Sequence, residues 1–157
     1  MSASKRKKSA GKAKGKRPRG SSASRANALK NTVGSKGSIE NPLQYLAWDN
    51  VHVETMNPLL DRQLIVGQQV MLARVLLKKG CIVPLHSHVN EQLSYILEGA
   101  LKFYIDGREI VVRAGEVLTI PPNMPHKAEA LEDTVDLDIF HPPRADWINK
   151  TDSYLRK

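Results

Sequence analysis

Residues 80–99 read GCIVPLHSHVNEQLSYILEG, and this stretch decides how the rest of the chain is read. It sets His86, His88 and Gln92 between Gly80 and Gly99. Side chains of an extended chain alternate between faces, so residues of like parity converge on one side. All three are even-numbered, whereas Glu91 is odd and is set aside as a ligand on that ground. Imidazole nitrogens suit Zn, Ni, Fe, Mn or Cu, and an amide carbonyl adds an oxygen donor. One more histidine is needed, and His126 supplies it. The expectation is one divalent metal ion held by His86, His88, Gln92 and His126, with ligands that leave its identity open.

Outward from this stretch the chain breaks into short β-rich runs. VHVETM (51–56) alternates until Asn57-Pro58 interrupts it, and DRQLIVG (61–67) and QQVMLARVLLKKG (68–80) follow. A helix over 69–79 is less consistent with its β-branched residues and flanking glycines than a strand. ALKFYI and REIVV flank Asp106-Gly107, a two-residue hairpin signal. Gly115 opens a turn before EVLTI, and Pro121, Pro122 and Pro125 make a stiff connection without ladder donors. HKAEALEDTVDLDIF (126–140) reads as a hairpin through Glu132-Asp133, and RADWINK (144–150) as a brief helix docked by Trp147. PLQYLAW (42–48) is left open between a short helix and a strand cover. Many short strands without alternating helices argue an all-β sandwich or barrel of the jelly-roll type.

Charge divides the chain in two. Residues 1–40 carry twelve Lys and Arg against Glu40 alone, a net +11, so residues 41–157 hold −3 of the chain's +8. Residues 1–38 have almost no large apolar side chain and cannot offset their ordering entropy by burial, so they are expected to be a disordered basic tail preceding a domain over 39–157. Three uses compete for the tail: a solubilising extension, weak contact with nucleic acid or another polyanion, and a nuclear import signal around KRKK and KGKRPR. The −3 domain does not bind nucleic acid by bulk charge. Cys81 is the only cysteine, so no intramolecular disulfide forms, and its apolar neighbours favour a small buried side chain over a nucleophile. No apolar run approaches the ~20 residues of a membrane span, and no apolar core follows the N-terminal charges as in a secretory signal. A cytoplasmic protein is expected, or a nuclear one if the tail is an import signal.

Gly80-x5-His86-Ser-His88-x3-Gln92-x6-Gly99 resembles the first motif of the cupins, with Gln where Glu or His is more common. Gly115-x5-Pro121-Pro-Asn123-x2-His126 resembles the second, with Asn123 in place of the usual Gly. The resemblance spans about residues 60–148. It implies a cupin double-stranded β-helix, a jelly-roll barrel whose interior holds one metal, and a homodimer. Within the cupins, HSHVNEQLSYILEG, PPNMPH and DLDIFHPPRADWI resemble the pectin-degradation cupins of the KdgF type, which linearise unsaturated uronates. That narrower likeness implies roles in chemistry for Asp138, Phe140 and Arg144 in the arrangement D-x-F-x-P-P-R.

The residues of TVDLDIF carry their own reading. Asp136, Asp138 and Phe140 share one parity, and Val135, Leu137 and Ile139 the other. Alternation alone favours aspartates in water and aliphatics inside, although Phe140 then stands on the wrong face. If the even face lines the barrel, Asp138 lies near the metal as the proton-transfer group. Phe140 then walls the sugar, and Arg144 grips a substrate carboxylate with its fork rather than capping a surface helix. A carboxylated substrate fits this reading, and the KdgF-type resemblance implies that it is a small sugar such as an unsaturated uronate, opened without redox change. A metal-dependent dioxygenase, a lyase, and a non-catalytic ligand-binding or regulatory cupin remain as alternatives, because fold does not fix function.

Overall fold

Ten strands and a few short helical turns make up the regular structure of residues 43–156, the part described by the computed structural model. The basic tail, its boundary at residue 39 and Pro42 of the PLQYLAW segment lie outside the described residues. Leu43 to Ala47 take no regular structure, and a 3₁₀ turn follows at Trp48–Asn50. The strands are β1 (Val53–Asn57), β2 (Leu60–Val66), β3 (Met71–Leu77), β4 (Ile82–His86), β5 (Glu91–Glu98), β6 (Ala100–Ile105), β7 (Arg108–Arg113), β8 (Val117–Ile120), β9 (His126–Ala130) and β10 (Thr134–His141). They form two antiparallel sheets, one ordered β1-β2-β3-β10-β5-β8 and the other β4-β9-β6-β7. Among the described residues no helix is long and apolar enough to cross a membrane.

The inner faces of the two sheets carry the core. β3 alternates cleanly, with Met71, Ala73, Val75 and Leu77 buried, and Ile96, Leu101, Phe103, Ile105 and Ile120 meet them from neighbouring strands. Cys81 is buried in the same core. Asp106-Gly107 makes the expected tight hairpin between β6 and β7, with φ of 51° and 69° at its two residues. The hairpin read through Glu132-Asp133 does not form. β9 pairs with β4 and β6 in one sheet, while β10 pairs with β3 and β5 in the other, so this connection crosses between layers.

A second crossing, from β5 to β6, occurs at Gly99, and the two crossings pack on each other. Thr134 Oγ1 bridges the backbone of Ala100, at 3.2 Å from its N and from its O. Gly99 has φ of +79°, and a Cβ there would lie 2.3 Å from the Asp133 carbonyl oxygen. Gly80 also has a positive φ, but a Cβ there meets nothing within 4 Å. Gly99→Ala is therefore expected to destabilise by at least about 1–3 kcal/mol from backbone strain, with the clash added. Gly80→Ala should cost less than Gly99→Ala, and urea denaturation of both variants checks the order.

The C-terminal segment closes one side of the sandwich. Helix α1 (Ala145–Ile148) buries Trp147, and a 3₁₀ turn at Ser153–Leu155 lies against β4. Fully buried Arg62 of β2 bonds Asp152 at 2.5 Å and Glu54 of β1 at 3.0 Å, and Arg156 joins both carboxylates. Breaking such a pair costs more than the pair itself contributes, because it leaves a buried charge uncompensated. The network thus fixes the segment that carries Arg144, Trp147 and Tyr154 over the inner cavity.

Candidate metal centre

His86 ends β4, His126 opens β9 as its register partner, and His88 stands in the loop between β4 and β5. Their ligand atoms all lie within 4.8 Å of one another. Each Nδ1 faces a backbone carbonyl two residues away: Pro84 at 2.8 Å for His86, Asn90 at 3.0 Å for His88, Met124 at 2.8 Å for His126. A carbonyl only accepts, so each Nδ1 keeps its hydrogen and each Nε2 offers a lone pair. Backbone partners of this kind orient imidazoles that bind a metal. The loop is held from both sides, since Asn123 N donates to His88 O at 2.7 Å and Asn90 Nδ2 to Pro142 O at 2.5 Å. Asn123 fills its motif position with φ of 63°, a conformation open to Asn as well as Gly.

Gln92, on the buried face of β5, sends Oε1 to 3.0 Å from His88 Nε2. Its Nε2 hydrogens go to Ser94 Oγ at 2.9 Å and Asp138 Oδ1 at 2.8 Å, which fixes the amide with its oxygen toward the histidines. Two lone-pair atoms facing each other at that distance repel unless a cation or a proton stands between them. The extended geometry behind the parity argument is absent. The chain turns at residues 87–90, and His86 and Gln92 reach inward from opposite sheets. Glu91 is exposed.

Burial pushes the His86 and His88 imidazoles down to about 4, helped by the charge of His126 on the first and of Arg144 on the second, and it lowers His126 as well. In metal-free protein the unfolded chain therefore binds protons at a higher pH than the folded one. Stability is full above about pH 6.5 and is lost as pH falls toward 4. The Tm measured in chelator should decline steadily over that interval. A flat Tm would mean that the imidazoles accept protons at no cost.

β10 presents Asp136, Asp138 and Phe140 inward and leaves Val135, Leu137 and Ile139 half-buried on the outer face. This reverses the arrangement favoured by alternation alone, because the inner face here lines a polar cavity instead of a dry core. Asp138 stands between Ala73 and Ser94 on the flanking strands, and its Oδ1 accepts hydrogen bonds from Ser94 Oγ and Gln92 Nε2. Burial raises its carboxyl to about 6 against the pull of those two bonds and of Arg144. Arg144 is 1% exposed, so it is no surface arginine. Asp146 holds its Nε at 2.8 Å and Nη2 at 2.6 Å, and Nη2 also donates to Tyr154 Oη at 3.0 Å. Its Nη1 is buried with no hydrogen-bond partner. The guanidinium lies over Phe140 at 5.3 Å and Trp147 at 4.8 Å. Tyr154 stacks on His86 with ring centroids 4.6 Å apart.

Most of these groups line one cavity of about 40 Å³, whose apolar lining includes Val75, Leu101 and Phe103. Ser94, Tyr154 and Arg62 escaped the reading from sequence. Ser94 shares the parity of Gln92 and could have been found that way. Tyr154 and Arg62 had no motif to mark them, since a partnership 90 residues apart, such as Arg62 with Asp152, leaves no local signal.

A two-sheet jelly roll with a histidine cluster inside one end is the architecture of a small cupin, and the cupin domain family matches residues 73–141. Among small cupins the chain resembles those of the KdgF type. It is 27% identical over 108 residues to the pectin degradation protein KdgF of Dickeya dadantii, covering 67% of this chain and 98% of that protein. The structure of KdgF from Halomonas sp. superposes with a TM-score of 0.64 at 23% identity, covering 68% of this chain and 99% of that one. An RmlC-like cupin from Shewanella frigidimarina gives a TM-score of 0.63 at 26% identity, over 68% of this chain and 96% of that one.

Proposed function

We propose that this chain is a metal-dependent enzyme that opens the ring of a small carboxylated sugar, an unsaturated uronate, without redox change. One observation carries the reading: two histidines of the cluster, the buried Asp138 carboxyl and a guanidinium with an unpartnered Nη1 line the same cavity. The KdgF relative supports the substrate class, since pectin is built of uronates. His86, His88, Gln92 and His126 hold the ion. A divalent metal bound there supplies Lewis acidity toward a hydroxyl or carbonyl oxygen. Asp138 takes the proton of the ring-opening hydroxyl and returns a proton to carbon, so that the net change is an isomerisation. Arg144 Nη1 binds the substrate carboxylate, and Phe140 walls the sugar beside it.

The cavity is small beside a uronate ring, so a uronate needs its mouth to widen. The same volume supports a second reading, in which the substrate is a carboxylic acid of two to four carbons. Unsaturated uronates absorb in the ultraviolet through their conjugated double bond and lose that absorbance on linearisation. Metal-loaded protein should bleach it at a rate proportional to enzyme concentration. Bound metal with unchanged absorbance would leave the smaller acids.

A further inference from the structure

Among the described residues only three buried side-chain polar atoms lack a hydrogen-bond partner: Arg62 Nη2, Asp136 Oδ1 and Arg144 Nη1. All three residues line the one cavity. Arg62 Nη2 lies 2.9 Å from Glu54 Oε2 and so has a countercharge even without good alignment. Arg144 Nη1 has the use given above. Asp136 Oδ1 has none, although an unsatisfied buried polar atom costs about 1–3 kcal/mol.

Its position separates it from Asp138. Asp136 lies two residues before Asp138 on β10, one strand repeat or about 7 Å along the backbone. Its register partners are Val75 and Ile96, so neither neighbour offers a hydrogen bond, whereas Asp138 has Ser94 beside it. Ser94 Oγ lies near both carboxyls and bonds Asp138 Oδ1, while Asp136 Oδ1 is buried in the cavity lining without a partner.

We infer that Asp136 is a hydroxyl-recognition point at the floor of the cavity, which makes the site selective for hydroxy acids with a second hydroxyl beyond the one next to the carboxylate. This rests on the carboxylate-binding role of Arg144. The ligand's own carboxylate goes to Arg144, whose guanidinium carries the positive charge and an unpartnered Nη1. An ammonium group is a poor match, because Arg62 and Arg144 both face the same space. Burial and the charge of Asp138 also raise the Asp136 carboxyl above the ordinary carboxylate range, which disfavours its charged form. A neutral hydroxyl is the group that remains, and Asp136, at a separate strand position from Asp138, meets one on a different carbon from that next to the carboxylate.

D-Glycerate and D-lactate differ only by the 3-hydroxyl, and both are far smaller than a uronate. Calorimetric titration of the zinc-loaded full chain should show glycerate binding at least about tenfold tighter than lactate, the worth of one hydrogen bond to a buried, otherwise unsatisfied group. Asp136→Val should bring the two within about twofold while keeping lactate affinity. Val fits a site flanked by Val75 and Ile96, so its Tm should not fall, and Asp136→Leu serves if it does. Equal wild-type affinities, or a preference that survives the apolar substitution, would overturn the inference. Glycerate preference without uronate turnover counts against the uronate reading alone, whereas uronate turnover without the preference counts against this inference alone.

Discussion

His126→Ala is expected to strip the protein of its metal, from about one ion per chain to under a tenth by elemental analysis after dialysis. Among the three histidines it is the most buried, and its Nδ1 is committed to Met124 O, so Nε2 has no role left except toward the cluster. Changing a partner behind a metal ligand costs about 10–100-fold in affinity, and removing the ligand itself should exceed that range. Turnover should fall to background together with the metal. The substitution also removes a buried group whose protonation is unfavourable, so the metal-free variant should lose less stability than wild type between pH 6.5 and pH 4. Full metal occupancy in His126→Ala would move the ion elsewhere.

The sequence made the fold legible because turn chemistry is local. Asp106-Gly107 marked its hairpin correctly, since the backbone demand of a two-residue turn is met or failed by those residues alone. Glu132-Asp133 misled for a related reason: a turn signal says that the chain reverses, and nothing about which sheet the next strand joins. The information that β10 crosses layers sits instead at Gly99 and Thr134, whose contact is visible only in three dimensions. The even numbering of His86, His88 and Gln92 singled out residues that do meet, but through a turn at 87–90 that the parity argument did not contain. The faces of β10 were ambiguous in principle. A polar-lined cavity inverts the usual alternation, and only Phe140, out of place among the aspartates, hinted that it had done so.

Asp138→Asn is expected to lower kcat by about 10²–10⁴-fold while metal content stays unchanged. The argument turns on what Asn preserves. Gln92 Nε2 and Ser94 Oγ both donate to Oδ1, and an amide oxygen in that place accepts both, so Gln92 keeps its orientation toward the histidines. What Asn lacks is a group that can take and return a proton. The pH profile supplies a second readout. Burial raises the carboxyl to about 6, so below that pH it is protonated and unable to accept the substrate's hydroxyl proton. Wild-type kcat should therefore rise with pH through about 6 and level off above it, and the residual activity of the Asn variant should lack that limb. Asp138→Asn protein with normal turnover would remove the proton-transfer role. Loss of metal in parallel with activity would instead make Asp138 a residue that acts through Gln92, holding a ligand in place and leaving the substrate's protons to another group.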